Sequence, residues 1–229
     1  MGPREQALWT AQLRAEALFT AVVERRLIRP GVLESELSEE IHAIGRADFG
    51  VRRHWHRRVV RSGPNTVFTY YDDAPDRRLE ANDVVYLDFG PVFERWEADL
   101  GRSYVLGDDP RKRQLVADIG DSFRSGQSLY ESDPELTAGQ LYDYVSGLAT
   151  AAGWDFGART AGHIIGAFPH AREPDAAKRY SICNGNPIPL HAPFDDGRAR
   201  HWILEILFVD RERRYGGFFE ELLTIRGPR

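Results

Sequence analysis

Val84-Val85-Tyr86-Leu87-Asp88-Phe89-Gly90-Pro91 and Glu97-Ala98-Asp99-Leu100-Gly101-Arg102-Ser103-Tyr104 are the stretches that decide the fold. Each is an apolar, strand-like run, and Gly90-Pro91 between them is a turn signal. Each run also contains an aspartate, and Asp88 and Asp99 stand eleven positions apart. An unpaired carboxylate in a buried strand is costly, so both acids need a countercharge. Three more titratable residues follow in similar settings. They are His163 in Ala161-Gly162-His163, Glu205 ending Trp202-Ile203-Leu204-Glu205, and Glu220 in Phe218-Phe219-Glu220.

Four carboxylates packed together would repel one another, and burial would neutralise them. Two divalent cations carry the four positive charges that balance them. A carboxylate-rich set with one imidazole suits Mn, Fe, Co or Zn better than a thiolate-preferring ion. Pairs of such ions about 3.5–4 Å apart make a nucleophile from water and polarise a carbonyl. The ordered set Asp88, Asp99, His163, Glu205 and Glu220 is what a two-metal hydrolytic site needs.

Working outward, Leu13, Ala17 and Ala21 recur every four positions, with Ala11, Leu18 and Val22 widening the apolar side. This predicts a helix over residues 4–26, ended by Arg29-Pro30-Gly31. A second helix is expected over 34–46, on Leu37, Ile41 and Ile44. Short strands are expected at 58–61 and 67–71, then one carrying Asp88 and a return path from Val92 to Trp96. Asp109-Pro110 starts a third helix, marked by Leu115, Val116, Ile119 and Phe123. Thr137-Ala138-Gly139-Gln140 is a capping box opening a fourth, closed by Gly153. The remainder is strand-like, with Gly216-Gly217 preceding a final strand over 218–225. Two helices, strands, two helices and strands make an α+β chain.

The 229 residues include 42% hydrophobic types and a net charge of −5, which argues against a nucleic-acid partner despite basic clusters at 52–61 and 211–214. The single cysteine, Cys183, excludes an intrachain disulfide. No apolar run of about 20 residues predicts a membrane span, and the N-terminus lacks a secretory core, so a cytoplasmic location is expected.

These residues together resemble the pita-bread metallopeptidases: methionine aminopeptidase, aminopeptidase P, prolidase and their relative creatinase. The ligand order Asp, Asp, His, Glu, Glu and the eleven-residue spacing match. Asp99-Leu100-Gly101-Arg102-Ser103 looks like the family's Asp-x-x-Arg-Thr, and Gly162-His163-Ile164-Ile165-Gly166 like its Gly-His-x-x-Gly. His170, seven positions after His163, sits where the family keeps a second, non-ligand histidine. The resemblance implies one catalytic domain over residues 1–229, with pseudo-two-fold halves and an antiparallel sheet flanked by helices. It implies that Asp88 chelates one ion, Asp99 bridges, His163 binds the second ion, Glu205 binds it and exchanges protons with the attacking water, and Glu220 bridges. Adjacent strand residues face opposite ways, so only one of Glu220 and Glu221 can face the site. The family's Glu-Asp-x-x-Leu ending favours Glu220. His170 would donate a hydrogen bond to the substrate carbonyl or the tetrahedral intermediate.

The chain also departs from the family. Members with peptidase or creatinase activity carry a histidine seventeen or eighteen residues before the first ligand aspartate, where this sequence has Tyr71 and Tyr70. Proline-selective members have a histidine four residues before the ligand histidine, where this sequence has Arg159. Tyr71 and Arg159 are therefore candidate substrate-binding residues, and Arg159 could grip a carboxylate bidentately. His201 is a further candidate for the substrate pocket. The leading reading is a metal-dependent hydrolase of an amide or peptide C–N bond in a short peptide, of aminopeptidase or Xaa-Pro-peptidase type. The alternatives are a creatinase-like or biosynthetic enzyme for a small, anionic metabolite, and a catalytically silent binding module. A homodimer is left open, since nothing in the sequence sets the oligomeric state.

Overall fold

The computed structural model describes residues 1–170 and 179–227. Its elements follow the expected order. Helices α1 (Pro3–Glu24) and α2 (Glu34–Asp48) lead to strands β1 (Arg53–His54) and β2 (Val59–Ser62) and a 3-10 turn, Gly63–Val67. Strands β3 (Val84–Phe89), β4 (Pro91–Phe93), β5 (Trp96–Glu97) and β6 (Leu100–Val105) follow. Helices α3 (Pro110–Ser132) and α4 (Ala138–Ala151) precede β7 (Asp155–Phe156), β8 (Thr160–Ile165), β9 (Ser181–Cys183), β10 (His201–Asp210) and β11 (Tyr215–Leu222).

Local chemistry explains the helix ends. The Asp109 carboxylate accepts from the Arg111 and Lys112 amides, and Thr137 and Gln140 form a reciprocal capping box. Gly153 ends α4 at φ +81°, a left-handed conformation that favours glycine.

The strands form one large antiparallel sheet in the order β2-β3-β6-β11-β10-β8-β9, with β7 added beside β10, and a small sheet β1-β4-β5. Two apolar cores cover the large sheet. One packs α1 and α2, through Ala15, Leu18, Leu37 and Ile41, against Val85, Leu87 and Leu100 of β3 and β6. The other packs α3 and α4, through Leu115, Phe123, Leu141 and Val145, against Trp202, Leu204, Ile206 and Phe208 of β10. Each half is thus a helix pair on its own strands, joined where β6 meets β11.

Three expectations are corrected. The buried face of α1 is Leu8, Ala11, Gln12, Ala15, Leu18, Phe19, Ala21 and Val22; Ala21 is buried as expected, while Leu13 is 44% exposed and Ala17 faces solvent. Alanine is too small to mark a face by periodicity alone. Residues 67–71 are not a strand, because the Gly63–Val67 turn and the following bends occupy that stretch. Gly216 and Gly217 lie inside β11 rather than before it. A Cβ on Gly216 would sit 2.8 Å from the Phe208 and Thr66 carbonyl oxygens, and one on Gly217 2.8 Å from Leu115 and Ile119. These glycines are there for close packing, not for a turn.

Candidate metal centre

Residues directly opposite on paired strands point to the same face of a sheet, and this rule aligns the site. Asp88 of β3 pairs with Gly101 of β6, Gly101 with Glu220 of β11, and Glu220 with Glu205 of β10. Three carboxylates therefore stand in one row across four adjacent strands. Gly101 leaves the middle of the row open, since a Cβ there would meet the Phe218 ring and lie 2.9 Å from the Glu220 Cβ. Asp99 precedes Gly101 by two positions and so shares its side. His163 comes from β8, the next strand beyond β10. Gly162 holds φ +140°, and a Cβ there would strike the Ile203 carbonyl, so glycine is what lets β8 approach β10 just before His163.

Asp88, Asp99 and Glu220 are 8%, 2% and 2% exposed, so the charges have little water. His163 Nε2 is 3.1 Å from Asp99 Oδ2 and 3.9 Å from Glu220 Oε1. Its Nδ1–H donates to the Ile164 carbonyl at 2.8 Å, which leaves Nε2 facing the acids. Glu205 Oε1 accepts from the Thr160 hydroxyl at 3.0 Å. Glu221 points to the other side and pairs with Arg102, as strand alternation requires of Glu220's neighbour.

Electrostatics record the crowding. Burial, with the nearby acids, lifts Asp88 to about 7. Burial and repulsion from Asp99, Asp88 and Glu205 raise Glu220 well above the carboxylate range. Burial also raises Glu205. Burial works in the same direction on Asp99, but His56 and His163 overcome it and hold Asp99 at about 2. His163 is raised to about 9, the Asp99 contact outweighing burial. These residues fit divalent cations. Glu220 Oε2 is buried with no hydrogen-bond donor among the described residues, and two cation-competent groups occur, His56 with Asp88 and Asp99, and Asp99 with His163 and Glu220.

The structure adds residues that the sequence reading missed. His56 lies 3.0 Å from Asp99 and 3.5 Å from Asp88. The buried Glu97 carboxylate receives His170 Nδ1–H at 2.5 Å and the backbone amides of His170 and Gly166. The Trp55 ring meets the His56, His163 and His170 rings edge-to-face at 4.5, 5.3 and 5.0 Å. His170 stacks parallel to His163 at 5.9 Å. Beside it opens a cavity of about 550 Å³, lined by Arg4, Arg95, Trp96, Tyr180 and Phe194 among others.

Other expected substrate residues fall elsewhere. Tyr71 is 86% exposed, because the chain turns at Tyr70-Tyr71 and only Tyr70 faces inward, its ring 5.6 Å from His56. Arg159 is exposed at the start of β8, with no partner among the described residues, and does not line the cavity. His201 is buried instead against Thr224 and Glu5 of α1.

An α+β fold with a row of acids across its central strands and the His163 imidazole beside it defines the class of pita-bread metal-centre proteins. Residues 6–193 match the model of metallopeptidase family M24, and the chain belongs to that family. It is 23% identical over 176 residues to an Xaa-Pro dipeptidase of Lactobacillus delbrueckii subsp. lactis, covering 76% of this chain and 45% of that protein. Among solved structures it is similar to the dipeptidase PepE of Mycobacterium ulcerans, with 25% identity, a TM-score of 0.73, and 96% and 56% of the two chains covered. The prolidase of Pyrococcus horikoshii shares the fold at a TM-score of 0.76 with 16% identity, covering 98% of this chain and 60% of that one. The chain thus spans about half the length of these relatives. No helix of the described residues is long and apolar enough to cross a membrane.

Proposed function

We propose that this chain is a metal-dependent hydrolase of short peptides, of the Xaa-Pro dipeptidase or aminopeptidase type, in one catalytic domain over residues 1–229. The observation that carries this reading is the in-register row Asp88, Gly101, Glu220, Glu205, flanked by Asp99 and His163. Asp88, Asp99, His163, Glu205 and Glu220 would hold two divalent ions of the Mn, Fe, Co or Zn type. When bound, such ions ionise water near neutral pH and polarise the scissile carbonyl.

The chain's own residues do the rest. Glu205, anchored by Thr160, takes the proton of the attacking water and returns it to the leaving amine. In its imidazolium form the His170 ring gives Nδ1–H to Glu97, which fixes the ring, and would give Nε2–H to the substrate carbonyl oxygen where charge develops. Trp55 packs edge-on against both His163 and His170 and limits water around them. The cavity beside His170 is within the range of small-ligand sites, and Arg4, Arg95 and Arg198 line it together with Asp195 and Asp196, so its walls offer charges of both signs to a peptide.

A second reading, an enzyme for a small anionic metabolite, is favoured by Tyr70 standing near the site where peptidases carry a histidine. Metal content and hydrolysis of a dipeptide panel decide the matter. Two transition-metal equivalents and Xaa-Pro cleavage, both lost in Asp99→Ala, support the peptidase. Wild-type protein that takes up no ion refutes the metal reading. Metal-loaded protein that cleaves no peptide refutes the peptidase reading and leaves the metabolite enzyme.

A further inference from the structure

Strand pairing, not sequence proximity, delivers His56. In the small sheet, Arg53 pairs with Val92 and His54 with Pro91. The Trp55 amide then donates to the Gly90 carbonyl at 2.9 Å, which carries the next residue over the end of β3. Gly90 has no side chain, and a Cβ there would overlap the His56 and Trp55 rings. The imidazole is wedged between Trp55 at 4.5 Å and Tyr70 at 5.6 Å, and its side chain is 8% exposed.

The orientation of the ring follows from its contacts. Nδ1 lies 2.6 Å from the Arg57 carbonyl oxygen. A carbonyl oxygen only accepts, so Nδ1 carries the proton, as His163 Nδ1 does toward Ile164. In the neutral ring, Nε2 then turns its lone pair toward Asp99 Oδ1 at 3.0 Å and Asp88 Oδ1 at 3.5 Å, an arrangement that calls for a cation between them. Donors bonded to one ion at about 2.1 Å stand about 3.0–3.5 Å apart for bond angles of about 90–115°. Both distances fall in that range. Asp99 meets His56 through one oxygen and His163 through the other.

We propose that His56 is a sixth metal ligand, so that Asp99 bridges two ions that each carry one imidazole. This rests on the two-metal reading above. The first ion would bind Asp88, Asp99 and His56, and the second Asp99, His163 and Glu205, with Glu220 shared between them as the resemblance implies. A second imidazole shifts the preference of the first position away from Mn and toward Zn, Co or Fe.

The test is proton NMR of the wild-type protein loaded with cobalt(II) chloride, together with cobalt uptake by equilibrium dialysis. Each Nε2-bound histidine carries an exchangeable Nδ1–H that the paramagnetic ion shifts far outside the normal range. Two such resonances are expected, one lost in His56→Ala and the other in His163→Ala. His56→Ala should also weaken one cobalt equivalent by on the order of 100-fold or more. A wild-type protein with two cobalt ions but one shifted resonance, indifferent to His56→Ala, overturns this assignment and leaves the two-metal reading standing. Failure of wild-type protein to take up cobalt overturns both. The wild-type resonance count decides the point even if a variant does not fold.

Discussion

Removing the metals should invert how this protein responds to pH. In the metal-free state, His56 and His163 are raised from 6.5 to about 9, in each case the pull of the carboxylates outweighing burial. A histidine raised on folding contributes stability that is fully present below 6.5 and is lost as pH rises through 9. One such shift corresponds to about 3 kcal/mol at 1.36 kcal/mol per pH unit. Both rings lean on Asp99, so the two contributions are not summed. Asp88, lifted by burial to about 7, acts with the same sign at lower pH, its stabilisation falling from pH 3.8 to 7. The remaining shifted histidines, His42, His54 and His201, are lowered by burial, so their contribution is complete by pH 6.5 and constant above it. Between pH 6.5 and 9 the chelator-treated protein should therefore lose about 3 kcal/mol, or about 6–12 °C in Tm at 2–4 °C per kcal/mol. With metal restored, binding needs deprotonated ligands, so the stabilisation by metal should grow with pH. Scanning calorimetry at both pH values, with and without zinc, measures this. A metal-free Tm that stays flat or rises from pH 6.5 to 9 would refute the reasoning.

The other expectations concern particular contacts. Glu97→Gln should lower kcat by about 10–100-fold with metal content unchanged, because only the His170 anchor is altered, and steady-state kinetics with metal analysis reads both. Gly90→Ala should cost about 1–3 kcal/mol by forcing the Trp55 and His56 rings aside, while Gly147→Ala, in open space on α4, should stabilise by about 0.4–1 kcal/mol; paired denaturant titrations compare them. Glu220→Gln should weaken metal uptake and Glu221→Gln should leave it unchanged, since Glu221 pairs with Arg102 on the opposite face; equal losses by calorimetric titration would count against the assignment.

Much of the architecture could be read from local signals. Asp109-Pro110 and Thr137 to Gln140 announced their helices because a cap is made by residues within one turn. The strand bearing Asp88 and the one that Asp99 leads into were legible because an acid in an apolar run is conspicuous. Parity was not legible where both faces are covered. All six residues of β3 are buried, so alternation of polarity is erased, and on β11 two adjacent acids left the facing residue open.

The chain alone marked Asp88, Asp99 and Glu205 as acids in apolar runs that need a countercharge once buried, and left the choice between Glu220 and Glu221 to strand parity, because a desolvated lone carboxylate is costly wherever it is buried. Only the tertiary structure brought in His56, Glu97 and Trp55, and sent Tyr71 and Arg159 outward. His56 reaches Asp99 across 43 positions through the pairing of β1 with β4, and His170 reaches Glu97 across 73. No local pattern encodes such contacts, since they depend on which strands pair and on glycines that leave room for the rings.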